Sequence, residues 1–435
     1  MTAKLNTAPP RGTRDVLPDE VELREAATQR ILAVYRSYGF RRIETPALES
    51  LALLAGSEGG ENEKLIFKIL KRGEDLERAL AGGGDLADLG LRFDLTVPLA
   101  RYYAENHAQL PDPLKAIQIG PVWRAERPQK GRYRQFTQCD IDVLGAASPL
   151  IEIELILATC EALRAAFGLP ELTVRVNDRR ILSRIARHCG FAEAEGEESG
   201  FFITFDKLDK VGAEGVLAEL RETGRDAGAI TRFQALLGTL QKSDLSLAAL
   251  RTALDAADAP AFEWLDTIIG AAAGALPPGA RVQFDPTLVR GMGYYTGTIF
   301  EAVMPGFAGS VAGGGRYDRM IGKLLGRDVP ACGFSIGFER LVALLGERGG
   351  GAPGAAAAGQ PRRVALLVDD GAAVGPALAA ARALRAAGDW VSLELRRRNV
   401  GKQLDDLARH GFDAHATLDA DGRPTMKPLT RRERA

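Results

Sequence analysis

The sequence predicts a protein of the α+β class divided into more than one domain, and three observations carry that expectation. Residues 121–145 form a strand-loop-strand unit: Val122-Trp123-Arg124 and Phe136-Thr137-Gln138 are strand-like, and the turn-rich, basic run 127–132 lies between them. Long segments elsewhere repeat their apolar residues at helical spacing. A breaker-rich stretch at 349–361, GGGAPGAAAAGQP, then separates the main body from a short β-α-β-α pattern.

Taken in order, Leu23, Ala27, Ile31, Val34 and Tyr38 follow Pro18 at helical spacing, and Gly39 supplies the stop, which predicts a helix over 19–38. Ser148-Pro149 has the form of a helix cap and first position, and the apolar residues that follow run to Gly168. Residues 180–280 are helical and charged in character and are expected to form an inserted module. After the 349–361 linker, RVALLV and WVSLEL alternate with two helical stretches over 362–435, as in a small α/β domain with a parallel or mixed sheet. Asp421-Gly422 predicts a turn near the end of the chain.

Composition sets limits. Of 435 residues, 56 are Lys or Arg and 57 are Asp or Glu, so any contact with nucleic acid must come from a local patch rather than from net charge. Four cysteines without CxxC spacing fit a reducing compartment and inert thiols. The N-terminus lacks an apolar signal core and the chain has no apolar run of about 18 residues, which predicts a cytoplasmic protein that does not span a membrane.

The 121–145 hairpin concentrates the chemistry. Arg124 at a strand end can fork onto phosphate oxygens, and Phe136 offers a ring on which a base can stack, as in a nucleoside triphosphate site. Around Arg290, three glycines (Gly291, Gly293 and Gly297) permit close backbone approach, while Tyr294-Tyr295 supply rings with polar ends. A ligand pocket is expected there. The AGGGRYD string at 312–318 is followed by no Gly-Lys-Ser/Thr, which excludes a phosphate loop; its glycines are expected to let a loop close on a substrate. The four histidines lie outside these segments and no cluster has zinc spacing, so neither a His-centred nucleophilic mechanism nor a resident metal is expected.

VWRAERPQKGRYRQF resembles the second signature motif of class II aminoacyl-tRNA synthetases in its histidyl-tRNA synthetase version. RGTRDVLPDE (11–20) and YGFRRIETPALE (38–49, with Pro46) are similar to the family's opening segment and first motif, and LRFDLTVPLAR (91–101) to its amino-acid-binding strand. LVRGMGYYTGTIFE (288–301), AGGGRYDRM (312–320) and GFSIGFERL (333–341) resemble the two histidine loops and motif 3. QCDIDVLG and LRFDLTVP are closer to the archaeal and eukaryotic branch.

The resemblance implies an antiparallel class II sheet flanked by helices, split as 1–179 and 281–348 around the 180–280 insertion, with 362–435 as a shortened anticodon-binding-like domain. It implies a homodimer that joins histidine to tRNA(His) with ATP and Mg²⁺. By the same resemblance Arg124 and Arg290 are catalytic, and Arg124, Glu126, Phe136 and Arg340 hold ATP. Asp94, Thr96, Gln138, Asp142, Arg290, Tyr294, Tyr295 and Tyr317 hold histidine, and Gln129, Lys130, Arg132 and Arg134 meet tRNA. The family places an acid where Gly293 stands, so loop support differs there. Two other readings share these motifs: a synthetase-like regulatory subunit of ATP phosphoribosyltransferase, and a ligase with a non-tRNA acceptor. Such regulatory paralogues typically lose the arginine matched by Arg290 and the C-terminal domain, and both are present in this sequence.

Overall fold

The structure is a computed structural model. It describes residues 6–56, 62–128, 133–192, 198–205, 207–243, 246–256, 259–289, 294–307, 309–347, 361–369, 374–419 and 421–429. The chain divides into two compact units, one of Met1–Asp15 with Arg24–Pro353 and one of Val16–Leu23 with Gly354–Ala435.

Among the described residues, the larger unit is organised on an eight-stranded sheet. Its order is Arg41–Arg42, Leu114–Trp123, Gln135–Leu144, Ala331–Ile336, Ala312–Arg316, Thr298–Val303, Leu172–Asp178, Ala280–Phe284. The six inner strands are antiparallel, and only the outermost pair at each end is parallel. The expected hairpin supplies its second and third strands, with Val122 opposite Phe136 and Trp123 opposite Gln135. Its strands extend well beyond the residues that signal it, to ten each. Because side chains alternate along a strand, Cys139, Ile141 and Val143 enter the fully buried face while Gln138, Asp140 and Asp142 share the other.

Helix Pro18–Ser37 buries Ala27, Ile31, Leu32 and Tyr35, a stripe slightly rotated from the expected one, and Gly39 (φ 82°) ends the turn that follows. Helix Pro149–Phe167 starts and stops as its sequence signals: the Ser148 hydroxyl accepts the Leu150 N–H at 3.3 Å, and Gly168 closes it in the left-handed region at φ 61°.

Two segments differ from their sequence expectation. LRFDLTVP is not a strand through its acid: the strand Ala87–Leu91 stops short, and Asp94 sits in the bend before helix Thr96–Asn106, where its Oδ1 accepts the Val97 N–H at 3.0 Å. An acid whose side chain satisfies an unpaired N–H of a first helical turn competes well against strand extension. The AGGGR run is not a closing loop either but an inner strand, Ala312–Arg316. Its glycines serve packing, because a Cβ on Gly314 would lie 2.0 Å from the Gly333 carbonyl oxygen and one on Gly315 would lie 2.9 Å from the Tyr295 ring.

Residues 179–275 are predominantly helical. Phe191 stacks on Phe201 at 4.6 Å, and Phe233 meets Phe191, Phe201 and Phe205 edge-on, giving these helices an aromatic core. The last of them, Pro260–Ala275, reaches a buried ion pair. Arg316 Nε and Nη2 donate to the two oxygens of Glu152 at 2.8 and 2.7 Å, and Trp264 Nε1 donates to Glu152 Oε1 at 3.0 Å. The Arg316 guanidinium lies 5.4 Å from the Trp264 ring centroid.

The smaller unit carries a four-stranded sheet in the order Trp390–Leu395, Arg363–Val368, Ala414–Leu418, Pro424–Pro428, parallel except for the last pair. Val364 and Leu366 pack on one face and Ala365 and Leu367 on the other, as a strand covered on both sides requires. The end of the chain folds back as an edge strand: Asp419 Oδ1 accepts the N–H groups of Asp421 and Arg423 at 3.0 and 2.8 Å, and Gly422 turns at φ 76°.

Candidate active site

A cavity of about 340 Å³ opens on the polar face of this hairpin. It is lined by Asp94, Thr96, Arg124, Glu126, Phe136, Gln138, Asp142, Tyr294, Tyr295, Tyr317 and Arg340, which come from five separate stretches of sequence. The sheet order accounts for this convergence, since the strands Gln135–Leu144, Ala331–Ile336 and Ala312–Arg316 are neighbours.

Arg124 and Arg340 bring two cations to the lining. Arg124 donates Nε to the Phe93 carbonyl at 3.0 Å and lies 5.1 Å from the centroid of the Phe136 ring, so its position is set before any ligand arrives. Arg340 donates to the Ser310 carbonyl at 3.0 Å. Glu339, also in the lining, accepts both ends of the Arg24 guanidinium at 2.6 and 2.7 Å and the Thr137 N–H at 2.9 Å. Burial alone would raise the Glu339 carboxyl, but these donors outweigh it and hold it below its ordinary value.

Three acids of the lining are buried. Asp94, Asp140 and Asp142 are each at most 3% exposed. Tyr317 donates its hydroxyl to Asp142 Oδ1 at 2.6 Å, and the Tyr294 ring stands edge-on to both Tyr295 and Tyr317. Gly333 makes room for the acid, because a Cβ there would fall 1.9 Å from Asp142 Oδ1. Burial raises Asp142 to about 7, with the Tyr317 hydrogen bond opposing and Asp94 adding to the shift. Burial also raises Asp94 to about 6, against the Val97 N–H and Arg124. Asp140 is pushed up by burial and then by Asp142. Asp94 Oδ2, Gln138 Oε1, Asp140 Oδ1 and Asp142 Oδ2 are buried acceptors without a hydrogen-bond partner within the protein. A polar pocket of this kind calls for a ligand rich in N–H donors.

A histidyl-tRNA synthetase family model matches residues 12–341, three-quarters of the chain and every segment that lines the cavity. The chain belongs to the histidyl-tRNA synthetase family. A histidine–tRNA ligase of Leifsonia xyli subsp. xyli (strain CTCB07) is 50% identical over 437 residues, covering 97% of this chain and 98% of the relative. The crystal structure of histidyl-tRNA synthetase from Nostoc sp. PCC 7120 superposes with a TM-score of 0.76 at 27% identity, covering 98% and 97% of the two chains. A structure described as an ATP phosphoribosyltransferase regulatory subunit/histidyl-tRNA synthetase from Bacillus halodurans C has a TM-score of 0.72 at 21% identity and covers 93% of this chain and 97% of that one. That last likeness is one of fold.

Some residues expected from the histidyl-tRNA synthetase resemblance lie elsewhere. Arg290, Gln129, Lys130 and Arg132 are outside the described residues, as is nearly all of the 349–361 linker. Arg134 braces the hairpin from outside the cavity lining: its Nε donates to the Glu126 carbonyl at 3.1 Å, and a Cβ on Gly12 would lie 2.8 Å from its stem. Sequence reasoning missed Asp140, Glu339, Thr137 and Ser335 in the lining. Asp140 carried a usable signal, lying two residues from both Gln138 and Asp142 on one strand face. Arg24, on a remote helix, had none.

Proposed function

We propose that this histidyl-tRNA synthetase family member activates histidine with ATP and transfers it to tRNA(His), with the cavity between Arg124 and Asp142 as the site of activation. The carrying observation is that one cavity is lined both by Arg124 and Arg340 and by four buried acceptors without a protein partner. Histidine in its usual state has three ammonium N–H donors and one imidazole N–H donor, which matches the four unpartnered oxygens in number.

In this reading the histidine carboxylate attacks the α-phosphorus of ATP, an oxygen-phosphorus bond forms and pyrophosphate leaves. The protein positions the reactants and neutralises developing charge, so no general base is required. Arg124 takes the α-phosphate, Glu126 and Phe136 the adenosine, and Arg340 the nucleotide from the opposite side. Asp94, Thr96 and Gln138 face the ammonium, while Asp142, Tyr295 and Tyr317 face the imidazole beside Tyr294. Arg290 acts with Arg124 on the charge formed during adenylation. Among the described residues no group of three or more His, Cys, Asp or Glu side chains is arranged as a metal site. Mg²⁺ then enters with ATP as part of the substrate, held by phosphate oxygens and water.

We also place tRNA contacts in the 127–134 loop, at Gln129, Lys130, Arg132 and Arg134, and in the 362–435 domain. In that domain Arg396 and Arg397 are partnered by Asp369 and Asp406 at 3.2 and 3.0 Å, which leaves Arg398 and Lys402 as better phosphate ligands. The domain division 1–179, 180–280, 281–348 and 362–435, a homodimer and a cytoplasmic site belong to the same reading. Among the described residues no helix is long and apolar enough to cross a membrane.

Two assays test it. Histidine-dependent exchange of pyrophosphate into ATP is expected, and its absence would overturn the activation step. Cutting the chain within 349–361 is expected to spare exchange yet cripple charging of tRNA, and charging by the intact chain should fall steeply with added salt. Full charging by the truncated chain would remove 362–435 from tRNA recognition.

A further inference from the structure

Asp140 belongs to none of the roles above, yet it is 3% exposed, lines the cavity and has one oxygen without a partner. Its other contact is the Ser335 hydroxyl, directly across the strand pair. Ser335 in turn accepts Gln138 Nε2 at 3.2 Å, and Gln138 Oε1 is left without a partner.

The direction of this chain follows from the donor inventory. Facing an ammonium, Asp140 is held ionised and only accepts, so in the complex Ser335 gives its single proton to Asp140 and accepts from Gln138. The Gln138 amide must therefore turn its NH₂ toward Ser335 and its oxygen away. Without the acid at 140, Ser335 could donate to the amide oxygen instead, and the Gln138 NH₂ would then face the incoming ligand.

We infer that Asp140 recognises the α-ammonium of the amino acid substrate, both through its own free oxygen and by fixing, through Ser335, the carbonyl direction of Gln138. Asp94 Oδ2, Gln138 Oε1 and Asp140 Oδ1 then supply three acceptors for the three ammonium N–H groups, and Asp142 Oδ2 is kept for the imidazole. Asp140 lines the same cavity as Asp94, Gln138 and Arg124, and it shares one strand face with Gln138 and Asp142. The role deepens the proposed activation of histidine and rests on that reading.

The test compares histidine with its analogue lacking the α-amino group, 3-(imidazol-4-yl)propionate, by calorimetric titration of the full chain and of Asp140→Ala and Asp140→Asn. Both substitutions are expected to weaken histidine about 10- to 100-fold, the range of a lost hydrogen bond to a charged group, while the amine-free analogue shifts less than about twofold. Equal weakening of the two ligands, or unchanged histidine binding, would overturn the role. Asp140→Asn preserves the shape and an acceptor for Ser335, so it supplies the answer where the alanine variant does not fold. A wild-type chain that binds no histidine would instead overturn the proposed function itself.

Discussion

Arg124→Ala is expected to slow histidine-dependent pyrophosphate exchange by ~10²- to 10³-fold, the usual effect of deleting one preorganised donor from a site where charge develops. Two features of the structure set that magnitude. The guanidinium is anchored by its Nε on the Phe93 carbonyl and by the Phe136 ring, which leaves its two NH₂ groups directed by the protein rather than by the ligand. A preplaced cation costs little reorganisation during the reaction, so its loss should appear in kcat. Because it also meets the ground-state phosphate, the KM for ATP should rise as well. Steady-state exchange kinetics with ATP and histidine varied separately give both numbers. Near-normal kcat in this variant would show that Arg124 does not serve adenylation.

Asp142→Ala is expected to abolish selection for histidine while leaving the ATP constant in place. A site whose buried polar groups are paired by a ligand's polar side chain rejects analogues that lack it by ~10⁴- to 10⁵-fold, and removal of Asp142 erases the pairing. The same residue carries a cost in the ligand-free protein that pH exposes. Its carboxyl is held at about 7 by burial, far above the ordinary 3.8, so its stabilising contribution is fully present below the unfolded value and is lost as pH rises through 7. Asp142→Asn does not suffer that loss. Its thermal midpoint should therefore exceed wild type by more at about pH 8 than at about pH 4, the gap widening across the window between the two pKa values. A gap that stayed constant with pH would mean the carboxyl is not a buried charge.

The parts of the fold written in local chemistry were legible. Ser148 and Gly168 announce both ends of a helix because cap hydrogen bonds and left-handed glycines are local events, and the hairpin follows from alternation around a basic turn. The motif residues expected at the ATP and histidine sites line one cavity wherever they are described, while Arg134 lies outside it. What escaped depends on neighbours distant in sequence. Ala312–Arg316 is glycine-rich and reads as a loop, yet it is an inner strand, because the carbonyl of Gly333 and the ring of Tyr295 occupy the space that side chains would need. The family resemblance puts Asp94 on a strand, whereas its carboxylate satisfies a helix N–H. Arg24 sits more than three hundred residues from Glu339, its partner, and no local pattern joins them. Asp140 escaped for a different reason: its spacing puts it on the strand face of Gln138 and Asp142, but only its burial in the structure sets it apart from a solvated acid.

The contact of Trp264 with Glu152 limits how this chain can be recombined with its relatives. Arg316 ends the strand that leads into Tyr317, Glu152 is its buried partner, and one of the three donors to that carboxylate comes from a helix within the 180–280 segment. That segment is therefore not a cassette free to be exchanged whole. A chimera that replaces residues 180–259 keeps the donor, whereas one that carries the exchange through 264 must bring an indole, or another N–H of equal reach, to the same carboxylate oxygen. The permissible crossover point thus lies before helix Pro260–Ala275.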